Sequence, residues 1–446
     1  MIAARDPFGN PIRVQHEASV AAVAGFINGF LGYTPDILAV LAAAEADHSL
    51  IVQACAAALQ MFAEAPSAPP AARAHLARAA KAGLPSTERE RQFASAVAAW
   101  VDGDAATAIG QHAQTLAEHP RDLCALKLAQ YHAFNLGDSP AMLRLALLAL
   151  PAAADLAWLH GMLAFAWEQC HRLAEAELAA RQALAMQPAE PWAQHALAHV
   201  MLTEGRLHEG AAFLAAVSGP WSGLSSFMRT HNWWHLALFR IELGDDAAAL
   251  ALYDHEVWGV DKRYSQDQVG AVSLLARLEL AGVAVGERWA ELAGWLAARV
   301  QDQVQPFLDM QYLYGLARAG RPEADVLLAH IARHAPQAPP ASRLAWQQVA
   351  LPACRGLLAH ARGDWATAAA QLAQALPRLT AIGGSHAQRE LFEQVHLDAL
   401  QRSGQLAGAL NLLQPLANAQ PESERLQRRL QAVCAGLGLP PPRVRH

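Results

Sequence analysis

A turn residue recurs in this sequence at steps of 34 positions, and each is followed five positions later by a residue that is usually small. The pairs are Gly103 with Ala108, Gly137 with Met142, His171 with Ala176, and Gly205 with Gly210. A small residue at this spacing lets two antiparallel helices pack closely where they cross. The sequence therefore predicts a series of helical hairpins.

A step of 34 residues is the period of the tetratricopeptide repeat. The best copy is 157–190, in which three alanines and a terminating proline stand at the expected places, namely Ala176, Ala180, Ala183 and Pro188. Later turns are spaced more widely, at Gly244, Gly282, Gly320, Gly363 and Gly404. We predict an all-α, tetratricopeptide-like helical-hairpin superhelix, an α-solenoid of about eight to ten hairpins that is strongly curved or closed.

The domain organisation follows from this repeat, because a solenoid grows by adding units to one superhelical domain. We predict a single domain over 1–446, with an N-terminal helical region at 1–85, the clearest repeats at 86–256, and divergent repeats with a C-terminal cap at 257–440. Proline-rich breaks are expected at 63–70 and 336–340, a turn-rich insert at 218–223, and a helix cap at Ser86 or Thr87.

Composition supports a helical, cytoplasmic protein. Hydrophobic residues make up 53% of the chain, and the formal charge is −6 without a dense Lys/Arg run, which argues against nucleic acid and membrane as partners. The first 14 residues are too polar for a secretory signal, and the five cysteines stand singly, as is typical of reduced thiols. Phosphate-binding glycine motifs do not occur, so nucleotide cofactors lack support.

Four histidines fall on helix faces that the repeat turns inward. In a tetratricopeptide unit, positions 2, 5, 9 and 12 of the first helix line the concave surface. Counting by repeat places His195 and His199 at positions 5 and 9, and His231 and His235 at positions 2 and 6 of the next unit. We therefore expect the four imidazoles to converge.

This arrangement suits several chemistries, which the sequence leaves open. Histidines four residues apart present two nitrogens to one metal ion, so zinc or another divalent metal is a candidate cofactor, and haem is a further one. Without a metal, His195, His231 and His235 are candidate catalytic acids or bases, with hydrolysis the first reaction considered. The remaining reading is that all four histidines are packing residues.

The metalloprotease motif HExxH lacks its glutamate in both histidine pairs. A general base would therefore come from another segment, for which Glu204, Glu242 and Asp254 are the candidates.

Further candidate binding residues lie next to the histidines in the sequence or occupy the inward-facing positions of other repeat units. Trp233 and Trp234 lie between two of the histidines, and Lys127 and Tyr131 occupy inward positions 5 and 9 of their own unit. Ser385 and Arg389 follow two glycines; Ser385 could be a nucleophile, or Arg389 could clamp a substrate carboxylate. Helix capping by this segment, with an Arg/Glu ion pair, is the alternative that we favour.

Several segments resemble the tetratricopeptide repeat protein 38 family. They are Gln194–His199, His231–His235, Tyr253–Asp254, Gly286–Trp289, Gly383–Phe392, and the helix containing Leu126 and Lys127 that ends at Leu136-Gly137-Asp138. The resemblance implies a helical-repeat fold of full length and brings no established reaction. Asp302 and Asp309 match, whereas Gln303 and Gln311 stand where some relatives have histidines, so Asp309 remains as a candidate binding residue.

Two functions explain these patterns. One is a pocket that binds a small polar ligand and is catalytic, with or without a metal; the other is a scaffold without catalytic activity that binds a peptide or protein in its groove. We favour the pocket because the polar residues cluster. The sequence leaves the substrate and the oligomeric state open.

Overall fold

The computed structural model describes residues 1–440 and has an all-α architecture, as predicted, apart from one N-terminal β-hairpin. Strands β1 (Ile2–Arg5) and β2 (Pro11–Val14) pair antiparallel, with Ala3 opposite Arg13. The sequence did not predict this hairpin, because alternation of exposed and buried residues over only four positions is too short to detect. In the described part of the chain, no helix is both long and apolar enough to cross a membrane.

The chain forms two compact units, one of residues 1–197 and 220–225, the other of residues 198–219 and from 226 onward. A short 3₁₀ turn lies in the first unit at Pro35–Leu38, and another, Gly219–Gly223, begins at the last residue of the segment 198–219. The helices of the first unit are α1 (Glu17–Gly32), α2 (Ala39–Ala46), α3 (Leu50–Met61), α4 (Ala68–Ala82), α5 (Glu88–Val101), α6 (Ala105–Glu118), α7 (Leu123–Asn135), α8 (Ser139–Ala153), α9 (Ala157–Gln169) and α10 (Leu173–Met186). Helix α11 (Pro191–Thr203) begins in the first unit and ends in the second.

The second unit continues the helical pattern. Its further helices are α12 (Leu207–Val217), α13 (Ser226–Glu242), α14 (Asp246–Leu252), α15 (Ser265–Leu280), α16 (Arg288–Leu296), α17 (Pro306–Arg318), α18 (Glu323–His334), α19 (Pro340–Leu344), α20 (Leu351–Ala361), α21 (Trp365–Ala375), α22 (His386–Arg402), α23 (Leu406–Ala419) and α24 (Glu424–Gly436). Shorter 3₁₀ or π turns occupy Tyr253–Val257, Ala297–Arg299, Ala335–Gln337, Ala345–Ala350 and Leu376–Ile382.

The predicted turn residues lie between the two helices of a hairpin. Each of them has a left-handed backbone conformation. The φ angles of Gly103, Gly137 and Gly205 are 79°, 72° and 71°, and His171 takes the same conformation at 56°. Glycine adopts positive φ without steric strain, which explains why it stands at three of these four turns. The 34-residue period is therefore a period of hairpin turns, as the sequence predicted.

The small residues five positions after the turns are buried where helices cross. Ala108 and Ala176 are fully buried. At Gly210, an added Cβ would lie 2.3 Å from the Phe239 ring, so this position on α12 must lack a side chain for α13 to pack against it. The spacing found in the sequence thus reflects close helix packing.

Side-chain caps fix several helix starts, including the one predicted near residue 86. Thr87 accepts a hydrogen bond from the Glu90 amide, and the Glu90 carboxylate accepts one from the Thr87 amide, which forms a capping box at the start of α5. The two predicted proline-rich breaks also separate helices, although α4 already begins at Ala68 and α19 begins at Pro340.

A buried ion cluster connects the β-hairpin to the helices of the first unit. The Arg89 guanidinium lies 3.0 Å from the Asp6 carboxylate and donates a 2.7 Å hydrogen bond to Asp122. Asp122 also caps α7 by accepting from the Ala125 amide. Because all three charged side chains are almost completely buried, each depends on the others for its partners.

Candidate histidine metal site

Helix α13 carries three aromatic residues of the predicted site on one face, since positions i, i+3 and i+4 are neighbours on a helix. The rings of His231 and His235 lie edge to face, with centroids 4.8 Å apart. Trp234 stacks on His231 at 5.3 Å and meets His235 edge to face at 4.8 Å. All three side chains are buried, so the helix presents a closely packed aromatic group.

The end of α11 adds a third imidazole to this group. The rings of His199 and His235 have centroids 4.5 Å apart, and candidate ligand nitrogens of His199, His231 and His235 lie within 4.8 Å of one another. His195 lies one turn before His199 on the same helix and is also buried. The predicted convergence is therefore present for His199, His231 and His235, and a place for His195 beside them stays a prediction.

Burial keeps His231 in the neutral form that binds metals. Desolvation, with a contribution from the neighbouring His199, lowers the pKa of His231 to about 3. At neutral pH this imidazole is therefore unprotonated and retains the lone pair that a metal ion requires.

The donor set indicates which ions fit. Three or four neutral imidazole nitrogens suit zinc, copper, nickel or cobalt, whereas calcium and magnesium require oxygen ligands. Because a zinc–nitrogen bond is about 2.0–2.1 Å long, two nitrogens on one ion lie at most about 4.2 Å apart, so nitrogens within 4.8 Å of one another need a small shift of their side chains to hold a single ion.

The surroundings of His195 are aromatic. Trp192 stacks on it at 4.5 Å, and Phe165 lies at 5.3 Å. The neighbouring Gln194 accepts a 2.8 Å hydrogen bond from the indole N–H of Trp221. Trp221 is buried, so the predicted insert at 218–223 is anchored to α11 by its tryptophan.

The three carboxylates that the sequence offered as a general base are each engaged with an arginine. Glu204 pairs with Arg206 at 2.8 Å, Glu242 with Arg425 at 2.7 Å, and Asp254 with Arg288 at 2.6 Å. Each carboxylate already has a cationic partner. The proposal that one of them acts as the general base of a zinc protease therefore gains no support.

Lys127 and Tyr131, which the sequence placed in the groove, make contacts inside the first unit. The Lys127 ammonium donates to the carbonyls of Phe30 and Leu31 at 2.6 and 3.1 Å and lies 3.6 Å from the centre of the Tyr33 ring. Burial lowers the pKa of Lys127 to about 7, although Glu190 opposes this shift. A cation at the C-terminal end of α1 is favourable, so this lysine stabilises that helix.

Tyr131 donates a 3.1 Å hydrogen bond to Glu64 and packs against Phe62 and Trp100. Trp233, the remaining predicted aromatic residue on α13, is half-buried. A ligand-binding role for these residues and for Lys127 remains a prediction.

The Gly383–Phe392 segment is a helix start, which confirms the capping interpretation of Ser385. Ser385 and Gln388 form a capping box at the beginning of α22. The Arg389 guanidinium donates to the carbonyls of Gly383 and Gly384 and thereby holds the preceding loop.

The ion pair that we expected in this segment involves different arginines. Glu390 pairs with Arg277 at 3.3 Å and with Arg425 at 3.6 Å, both of which come from other helices. A substrate-clamping role for Arg389 remains a prediction.

Asp309 is completely buried on α17. Its carboxylate accepts a 3.2 Å hydrogen bond from Gln303, and its second oxygen has no hydrogen-bond partner within residues 1–440. Burial, with a smaller contribution from Asp302, raises the pKa of Asp309 well above its usual range. Burial therefore favours the neutral form of this side chain, and its ligand-binding role remains a prediction.

Two polar features were missed by the sequence analysis. Asn232 lies between the histidines of α13 and is buried. Its position between two predicted site residues was a signal that could have identified it. A chain of hydrogen bonds joins Tyr314, His360 and Asp398, with distances of 3.0 Å and 2.9 Å. These three residues lie on three different helices, so no sequence motif could have identified them.

No family model matches this chain. It is similar to a chain of a solved structure, that of Naa15/Naa10 bound to HypK-THB, at 12% sequence identity and a TM-score of 0.25. The similarity covers 93% of this chain and 65% of that chain, so the protein spans less than two thirds of that neighbour's length. Membership in the tetratricopeptide repeat protein 38 family stays a prediction.

Proposed function

We propose that this protein is a helical-repeat binding protein that holds a divalent transition-metal ion, zinc being the first candidate, at His199, His231 and His235. The observation that carries this proposal is the spacing of three buried imidazoles within 4.8 Å. We propose that the bound ion in turn binds a small polar ligand.

The protonation state of His231 supports metal binding. A neutral imidazole needs no proton removed before it coordinates an ion, and the depressed pKa of His231 keeps it neutral throughout the physiological range. Packing the three rings together also removes the cost of bringing them together when the ion binds.

The chemistry of such a centre favours polar small molecules. An ion bound only by neutral histidines keeps its full positive charge, so it polarises a carbonyl group or lowers the pKa of a bound water. Hydrolysis is therefore the first reaction to test. His195 and His235 remain the candidate acids and bases for a reaction without metal, whereas His231, with its pKa lowered to about 3, is too weak a base for this role near neutral pH.

The test is metal analysis of protein purified without a histidine tag. After reconstitution with Zn²⁺, we expect about one bound Zn²⁺ per chain, because the proposal has a single site. His231→Ala and His235→Ala should lose it. His208→Ala, at an exposed histidine on α12, is the matched control and should retain it. Folded wild-type protein that takes up no metal would refute the proposal.

The second candidate function is a scaffold that binds a peptide or protein without catalysis. The array of helical hairpins supports it, since such repeats offer extended binding surfaces. Four large apolar side chains are also exposed on α8 and α10, namely Leu147, Leu148, Leu178 and Met186. If the chain is only a scaffold, metal-free His231→Ala protein should bind its partners as the wild type does, whereas Leu178→Lys should weaken that binding.

A further inference from the structure

Two buried hydrogen-bonding groups on α13 adjoin the histidine cluster and have no partner within residues 1–440. The side-chain amide of Asn232 is unpartnered at both its oxygen and its nitrogen, and the indole N–H of Trp234 is unpartnered too. Asn232 is completely buried, and Trp234 is 1% exposed. These groups therefore lack both protein partners and access to bulk water.

Such groups are costly in a folded protein. A buried donor or acceptor without a partner costs about 1–3 kcal/mol, so native structures leave few of them. Two residues of this kind within three positions of one helix indicate that a bound species supplies their hydrogen bonds.

The location of both groups connects that species to the metal site. Trp234 is in ring contact with His231 and His235, at 5.3 and 4.8 Å between centroids. Asn232 precedes His235 by three residues, so the two side chains occupy neighbouring positions on the helix surface. Both groups are therefore next to two of the proposed metal ligands.

The charges nearby favour a ligand that accepts hydrogen bonds. Trp234 supplies only a donor, and the Asn232 amide supplies two N–H donors beside one acceptor oxygen, so donors outnumber acceptors three to one. The Arg277 guanidinium lies over the Trp234 ring, 5.7 Å from its centre. Arg277 is itself buried and paired with Glu390, so it adds a cationic neighbour without being required as a ligand contact.

We propose that the metal ion keeps a position open for an exchangeable small carboxylate, whose oxygens accept hydrogen bonds from the Trp234 indole N–H and the Asn232 amide. This inference rests on the proposed metal site and names the class of ligand that it binds. In the absence of a carboxylate, a water molecule takes the same position.

The experiment uses full-length protein loaded with Co²⁺, whose visible spectrum reports changes in the ligands of the ion, and acetate as the probe. Acetate should shift the spectrum of the wild type in a saturable titration. Trp234→Phe keeps the aromatic ring beside the histidines but removes the N–H, and Asn232→Leu removes the amide at similar volume. Each should weaken acetate binding about tenfold, which corresponds to one lost hydrogen bond, while Co²⁺ uptake stays at the wild-type stoichiometry.

Trp295→Phe, a matched change on α16, should leave acetate binding unchanged because the Trp295 indole donates to Glu291. A wild-type Co²⁺ spectrum that does not respond to acetate would overturn the inference while leaving the metal site intact. Equal acetate affinity in the wild type, Trp234→Phe and Asn232→Leu would overturn it as well. Failure of the wild type to take up Co²⁺ would instead refute the metal site, and this inference with it.

Discussion

The imidazole ring of His199 on α11 lies 4.5 Å, centroid to centroid, from that of His235 on α13. The residues are 36 positions apart in the sequence, close to one repeat, so corresponding regions of successive hairpins bring them together. Neither ring is exposed to solvent. A pair of histidines in this arrangement is positioned to bind one ion between two helices.

Metal binding at this pair should stabilise the fold. A ligand that binds only the folded state adds about 2.7 kcal/mol to the free energy of unfolding at 100 times its Kd. We therefore expect Zn²⁺ to raise the melting temperature of the wild type and EDTA to reverse the effect. His235→Ala should melt at the same temperature with and without Zn²⁺. An equal Zn²⁺ effect on wild type and variant would contradict the assignment.

Gly210 and Gly110 form a matched pair for testing helix packing. At Gly210 a new methyl group would meet Phe239, whereas at Gly110, on the exposed side of α6, it would meet nothing within 4 Å. Gly210→Ala should lower the free energy of unfolding by about 1–3 kcal/mol. Gly110→Ala should raise it by about 0.5–1 kcal/mol, because alanine favours helix more than glycine does. Urea denaturation measures the free energy of unfolding of both variants. Equal effects would contradict the close contact between Gly210 and the Phe239 ring.

The buried Arg89 should contribute far more to stability than an exposed arginine. Arg89→Met leaves two buried carboxylates, Asp6 and Asp122, without their cation, so we expect a loss of about 3–5 kcal/mol. Arg73→Met removes a pair with Asp102 that is more than half exposed and should cost less than about 1 kcal/mol. Chemical denaturation at pH 7 compares the two variants. Similar losses would show that burial does not govern the strength of these pairs.

Acid should destabilise the first unit through His112 and His132. Burial lowers the pKa of His112 to about 4 and, together with His112, that of His132 to about 3. The unfolded chain, with histidine pKa values near 6.5, therefore binds more protons than the folded chain between pH 6.5 and 4. Stability is retained above pH 6.5 and falls as the pH is lowered through this window.

Replacing His112 tests that dependence. Between pH 7 and pH 4.5 we expect the wild type to lose about 2–3 kcal/mol through this residue alone, and His112→Leu to lose correspondingly less. His208→Ala, at an exposed position, should retain the full loss. Urea titrations at the two pH values measure the difference, and identical pH dependence in wild type and His112→Leu would contradict it.

Local patterns predicted much of the fold and part of the site. The turn positions, the cap at Thr87 and the capping role of Ser385 involve residues within a few positions of one another, so the sequence carries the whole interaction. The common face of His231 and His235 on α13 followed from helix periodicity. The hydrogen-bond partners of Lys127 and Arg389 could not be predicted from the sequence, because they depend on how the chain folds back.

The sequence by itself determined the hairpin period, the helical class and the helix faces that carry the histidines, because each depends on spacing along one or two helices. Only the tertiary structure decided which distant groups meet. Lys127 pairs with carbonyls 96 and 97 residues away, Arg277 pairs with Glu390, and Asn232 is left buried without a partner. Such contacts depend on the packing angles of many successive helices, and small differences in each angle add up along the chain.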